Sequence, residues 1–171
     1  MSCRTRTYIA GDWTGDENLI SNLKFWNESS YWGLSYDDAH ELTQARDTSL
    51  PCSIKRSLKE RLDASKAFVL VVGKHTKDLT KGGCRHCSSY SIYGGCHRSG
   101  TVDHRSFIDY ECEYAVKNRL KIVVLYNGCE VMLDRCPEAI RHEGLHIPAV
   151  YRSANGKLFW DIGRISSAIC Y

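Results

Sequence analysis

The chain lacks any run of about eighteen apolar residues, so no segment of the sequence reads as a transmembrane helix. It also lacks a strong charge of either sign: 23 Lys and Arg against 20 Asp and Glu leave a net charge of +3. That is too mild for the basic field by which nucleic-acid and anionic-membrane binders recognise their targets. Neither nucleic acid nor membrane is therefore expected as a partner. The opening stretch, MSCRTRTYIAGDW, has no apolar core of an export signal, and the expectation is a mature, cytoplasmic start. No G-x-x-x-x-G-K-[ST] phosphate loop, no G-x-G-x-x-G after a strand and no G-x-S-x-G elbow occur, which sets aside three common chemistries. Internal repeats and low-complexity linkers are missing as well.

What is present is an ordinary globular composition over 171 residues, enough for one domain with a substantial core. The nine cysteines are odd in number and several fall inside apparent core elements (Cys112, Cys129, Cys170). Without an export signal this favours reduced thiols over a disulfide framework.

Apolar runs of strand length alternate with amphipathic segments. Strands are expected at 6–11, 32–38, 66–73, 120–128 and 146–152, and helices at 17–29, 51–65, 107–118, 136–144 and 161–170. KAFVLVVG and LKIVVLYNG are continuous apolar runs, as in strands buried on both faces. Strand–helix alternation implies a parallel sheet with helices on both sides. The expected fold is a flavodoxin-like, three-layer α/β domain over 1–171, with five strands in the order 2-1-3-4-5. A Cys-rich insertion interrupts it at about 77–105. In such a sheet the ligand crevice opens outside the carboxyl ends of the strands, where the strand order reverses. No aspartate ends the third strand, which argues against a phospho-acceptor receiver. Asp12, Asp16 and Glu17 follow the first strand and would repel the phosphate of a flavin mononucleotide.

One carboxylate stands apart. On a helix, at about 100° per residue, Phe107, Ile108, Cys112, Tyr114 and Ala115 gather on one arc. Asp109, Glu113 and Lys117 gather opposite, with Glu113 and Lys117 spaced as a favourable pair. Glu111 falls inside the apolar arc. A dry, unpaired carboxylate there costs several kcal/mol, so it either has a hidden partner or lies at the lip of a pocket. The second of these places it at the crevice mouth. Asp12, Asp37, Asp38 and His40, at the ends of the first two strands, could hold ribose hydroxyls, and Arg46, Lys55 and Arg56 a pyrophosphate.

The block from Asp37 to Thr76, DDAHELTQARDTSLPCSIKRSLKERLDASKAFVLVVGKHT, followed by FIDYECEYA, resembles the bacterial TIR-like domain family. That family includes the stand-alone TIR proteins of Thoeris anti-phage systems. Its helix after the third strand carries an aromatic-x-x-x-Glu motif, usually with Trp; here the motif is Phe107 to Glu111. The resemblance implies an enzyme that cleaves the nicotinamide–ribose bond of NAD, with Glu111 as the catalytic carboxylate. Beside it, the expected substrate contacts are Gly11, Asp12, Asp37, Asp38, His40 and Arg46 at the strand ends, with Phe107 and Tyr110 offering aromatic surface. The resemblance also implies an ADP-ribose-derived signal nucleotide, formed by cyclisation or by transfer to another acceptor, an effector protein reached through that diffusible nucleotide, and a homo-oligomer formed on activation. NAD is then substrate, and no cofactor is expected. The chemistry suits a single carboxylate: the transition state is oxocarbenium-like and the leaving nicotinamide is neutral. Two other functions compete, a TIR-like interaction module without turnover and a nucleotide-binding sensor.

The insertion contains CRHCSSYSIYGGCH, in which Cys84, Cys87, Cys96 and His97 offer four zinc ligands. The adjacent second pair speaks against a metal site, because neighbouring side chains of an extended chain point to opposite sides. The expectation is a metal-free covering loop in which Tyr90 and Tyr93 act as a lid.

Overall fold

The computed structural model describes residues 6–32, 34–37, 50–98 and 100–170. Strand β1 (Arg6–Ala10) leads into helix α1 (Glu17–Glu28). Helix α2 (Pro51–Asp63) starts on a proline, whose fixed φ and missing N–H suit a first helical position. Strand β2 (Ser65–Val72) follows. The Cys-rich insertion holds a short helical turn at Cys84–His86 and a small hairpin of β3 (Tyr90–Ser91) and β4 (Gly95–Cys96). Then come α3 (Phe107–Lys117), β5 (Lys121–Tyr126), β6 (Leu145–Pro148), a second hairpin of β7 (Val150–Arg152) and β8 (Leu158–Trp160), and α4 (Ile162–Cys170).

The central sheet is parallel and ordered β1-β2-β5-β6. Its alternating side chains feed two cores. Tyr8, Phe68, Leu70, Ile122 and Val124 face α2 and α3, while Ile9, Val69, Val71, Val123 and Leu125 face α1 and α4. This is the expected three-layer, flavodoxin-like arrangement, with four strands among the described residues where the sequence suggests five.

The difference lies in the second strand. Residues 34–37 have no strand ladder, yet the Asp37 carbonyl accepts from Thr7 N–H at 2.8 Å. The chain thus runs along the outer edge of β1, on the side the order 2-1-3-4-5 requires. The contact falls at the amino-terminal end of β1, whereas the sequence had suggested that Asp37 lies with Asp12 at the crevice end of the strands. The expected helix at 136–144 is reduced to a single tight turn at Glu138–Ile140. The expected strand at 146–152 breaks after Pro148 and turns into the second hairpin.

Candidate functional site

Helix α3 is anchored at its start by Ser106, whose hydroxyl accepts from Asp109 N–H at 3.0 Å and donates to the Asp109 carboxylate at 2.7 Å. This reciprocal cap satisfies an otherwise orphaned donor and fixes the phase of the helix. That phase turns Ile108, Glu111, Cys112 and Ala115 inward. Glu111 is 5% exposed. Its hidden partner is a phenol: Tyr8 on β1, itself fully buried, donates its hydroxyl to Glu111 Oε1. The carboxyl is raised from its ordinary 4.5 to about 7. Burial pushes it up, while the Tyr8 hydrogen bond and the charge of Arg61 on α2 hold it down. Glu111 is therefore enclosed between β1 and α3, not open at a crevice lip. Neither of two cavities of about 160 and 180 Å³ is lined by it.

The other expected contacts scatter. Gly11 packs at the end of β1, where an added Cβ would sit 3.1 Å from both Ile20 and Val71; its small size lets α1 approach the sheet. Asp12 stands beside it and accepts from the N–H and hydroxyl of Thr14 at 3.0 and 2.7 Å. Those bonds, the hydroxyl above all, hold its carboxyl below the usual range. Asp37 lies at the opposite end of β1, lining the cavity of about 180 Å³ with Thr7, Lys66 and Cys170. It does not meet Asp12, because its carbonyl is bonded to Thr7 near the amino end of β1, whereas Asp12 follows the carboxyl end. Asp38, His40 and Arg46 lie outside the described residues.

Phe107 and Tyr110 are engaged in packing. Phe107 closes on Gly82, whose φ of +110° and proximity to the ring admit no side chain: a Cβ would lie 2.6 Å from it. Tyr110 stacks with Tyr114 at 6.1 Å and has Lys55 and Arg105 over its ring at 5.6 and 5.0 Å. Lys55, expected to answer a pyrophosphate, is engaged within the protein. It is buried and donates to the Arg105 carbonyl at 2.7 Å, with Asp103 at 3.1 Å. Burial alone would raise the Asp103 carboxyl, but hydrogen bonds from Arg105 and Lys55 outweigh it and hold Asp103 well below the usual carboxylate range.

These contacts tie down the Cys-rich insertion. Phe107 N–H donates to the Lys81 carbonyl and Cys84 N–H to the Asp103 carbonyl, both at 2.8 Å. Tyr90 sets its edge against His104 at 5.7 Å. Tyr93, expected in a lid, is wholly exposed at the hairpin tip beside Ile92. Cys84, Cys87 and Cys96 are buried, and the Cys84 sulfur accepts from Asp103 N–H at 3.2 Å. Among the described residues no group of three or more His, Cys, Asp or Glu is placed to hold a metal ion.

Two features escaped sequence reasoning. Tyr8 is one; its partner is 103 residues away, a distance no local pattern encodes. The other is Asp16, 3% exposed, whose carboxylate accepts from Asn127 Nδ2 at 2.8 Å and packs against Gly73. Burial raises its carboxyl, with the Asn127 hydrogen bond opposing. It bridges the carboxyl ends of β1, β2 and β5. An Asp immediately before an apolar helical pattern is a start signal, and that was the available clue.

Among the described residues no helix is long and apolar enough to cross a membrane. No curated protein matches the chain. One family model does match, that of the Thoeris protein ThsB, TIR-like domain, over residues 8–81. The match begins at Tyr8, runs through α1, α2 and β2, and ends at the stem of the Cys-rich insertion, before Glu111. With its parallel sheet and its two helical layers, the chain is similar, over residues 8–81, to the TIR-like domain of the Thoeris protein ThsB.

Proposed function

We propose that the chain is an NAD-consuming enzyme, in keeping with the anti-phage setting of the Thoeris family, with Glu111 as its catalytic carboxylate. The observation that carries this reading is the burial of Glu111 on an apolar helix face. A scaffold gains nothing from a carboxyl there that two apolar layers must accommodate. A group raised to about 7 and shielded from water suits a site that must stabilise a cation.

In the proposed step the bond between the anomeric ribose carbon and the nicotinamide nitrogen breaks. Its electron pair leaves with nicotinamide, which departs neutral. Ionised Glu111 stabilises the ribosyl cation until an oxygen or nitrogen nucleophile captures it. Water gives ADP-ribose; a nucleophile within the same molecule gives a cyclic nucleotide, suited to carry a signal to an effector protein. Because only the ionised carboxylate acts, turnover rises with pH through about 7.

Incubation with NAD, with chromatography of the products, tests the reading. Nicotinamide release by the parent protein and its loss by orders of magnitude in Glu111→Gln are expected. Equal release by both proteins removes Glu111 from the mechanism. Unchanged NAD in the presence of the parent protein favours an interaction module.

A further inference from the structure

Glu111 has one hydrogen-bond partner among the described residues, and that partner takes no direct part in the proposed bond cleavage. Tyr8 sits in the middle of β1, with its neighbours paired to β2 in parallel register, and its ring stacks on Phe68 at 5.9 Å with the planes 18° apart. It is 0% exposed. A donor so enclosed keeps its ring and hydroxyl in a packed setting. Its hydroxyl fixes Oε1 of Glu111, while Oε2 accepts no hydrogen bond among the described residues.

We propose that Tyr8 is the positioning residue of the site: its buried hydroxyl clamps one oxygen of Glu111 to the sheet, so that the other is presented to the ribosyl centre in a single orientation. This rests on Glu111 being the catalytic carboxylate. A carboxylate on a helix turns about its side-chain torsions, and a clamp at one oxygen removes that freedom before substrate arrives. The clamp also favours the ionised form, because a phenol donates more strongly to a carboxylate than to a carboxylic acid. The other charged or titratable groups near Glu111 are few. Arg61 approaches from α2 and favours ionisation. Cys112 is its neighbour on α3, and Cys136 comes from the segment packed beside that helix; both are buried thiols. The part of β2 stacked on Tyr8 contributes only apolar Phe68 and Leu70. Tyr8 is thus the neutral group whose hydrogen bond opposes the burial that raises Glu111, with Arg61 acting in the same direction.

The test is Tyr8→Phe, which keeps the ring and its stacking on Phe68. Carbon-13 NMR of labelled glutamate side chains, assigned through Glu111→Gln, follows the Glu111 carboxyl directly and needs no turnover. In Tyr8→Phe its titration midpoint moves up by about one pH unit. The rising limb of nicotinamide release moves up with it, and at neutral pH kcat falls several-fold while KM for NAD stays within about twofold. Should Tyr8→Phe fail to fold, 3-fluorotyrosine at position 8 serves instead. It keeps the hydroxyl, strengthens it as a donor, and moves the midpoint down. An unmoved Glu111 midpoint in both proteins overturns the inference. So does a loss of activity carried by KM alone. Absence of nicotinamide release from the parent protein at every pH is a separate result, and it strikes the proposed activity, not the Tyr8 clamp seen by NMR.

Discussion

The Glu111→Gln substitution has a consequence for folding that is independent of catalysis. In the folded chain the carboxyl is raised from 4.5 to about 7; in the unfolded chain it returns to its ordinary value. A raised folded pKa means that the native state binds the proton more tightly than the unfolded state. The resulting stabilisation is fully present below about 4.5 and is lost as pH rises through about 7. The span corresponds to roughly 3 kcal/mol, and the group is fully buried, so solvent screening does not reduce it. Gln is neutral at every pH and its amide oxygen can still accept from Tyr8. The difference in stability between Glu111→Gln and the parent therefore climbs with pH, in favour of Gln, by roughly 3 kcal/mol between about pH 4.5 and 8. Urea unfolding of both proteins at half-unit steps of pH measures it, and the remaining titrating groups cancel in the difference. Parallel stability curves would refute the argument, since they would mean that the carboxyl is no more protonated in the native state than in the unfolded chain.

Three other outcomes follow from the geometry. Gly82→Ala forces a side chain onto a φ of +110° and against the Phe107 ring, and lowers stability by about 1–3 kcal/mol in urea unfolding; an unchanged midpoint would mean that Phe107 does not clamp the insertion. Lys55→Met removes the buried cation that ties α2 to Asp103 and the Arg105 carbonyl, at a cost of about 2 kcal/mol, with Arg105 retaining its own hold on Asp103. Amide hydrogen exchange in residues 81–107 should accelerate in that variant before the rest of the chain is affected. Protein purified without a histidine tag should carry no stoichiometric zinc, and metal analysis yielding one zinc per chain, lost in Cys84→Ser together with thermal stability, would reverse that expectation.

Much of the architecture was legible because burial writes itself into composition. The strands at 65–72 and 121–126 are apolar on both faces, and no other element explains such runs. The phase of α3 singled out Glu111 for the same reason: one charge in an apolar arc is visible in a single turn. Register was less legible. Asp37 follows a weak strand pattern with nothing in it to say which of its residues first meets β1, and a shift of a few positions carries a side chain from one end of the sheet to the other. The hairpin of β7 and β8 was missed although Asn155 and Gly156, with Gly156 at φ +81°, supply a recognised turn signal; its strands are three residues each, too short to show alternation. Lys55, Tyr110 and Arg105 each looked available for ligand, and their mutual engagement arises only when α2, α3 and the insertion meet in space.

The stem of the Cys-rich insertion closes on itself. Lys81 meets Phe107, and Cys84 meets Asp103, through main-chain hydrogen bonds, so the chain leaves the domain and returns to it at one place. The rest of the fold senses only that doorway. Lengthening a closed excursion adds little entropy, about 0.6 kcal/mol for each doubling. What lies beyond the doorway can therefore vary in length and sequence without disturbing the sheet, α3 or Glu111. Ile92 and Tyr93, held out in solvent at its far end, are placed where a new contact could be written without repacking the domain beneath.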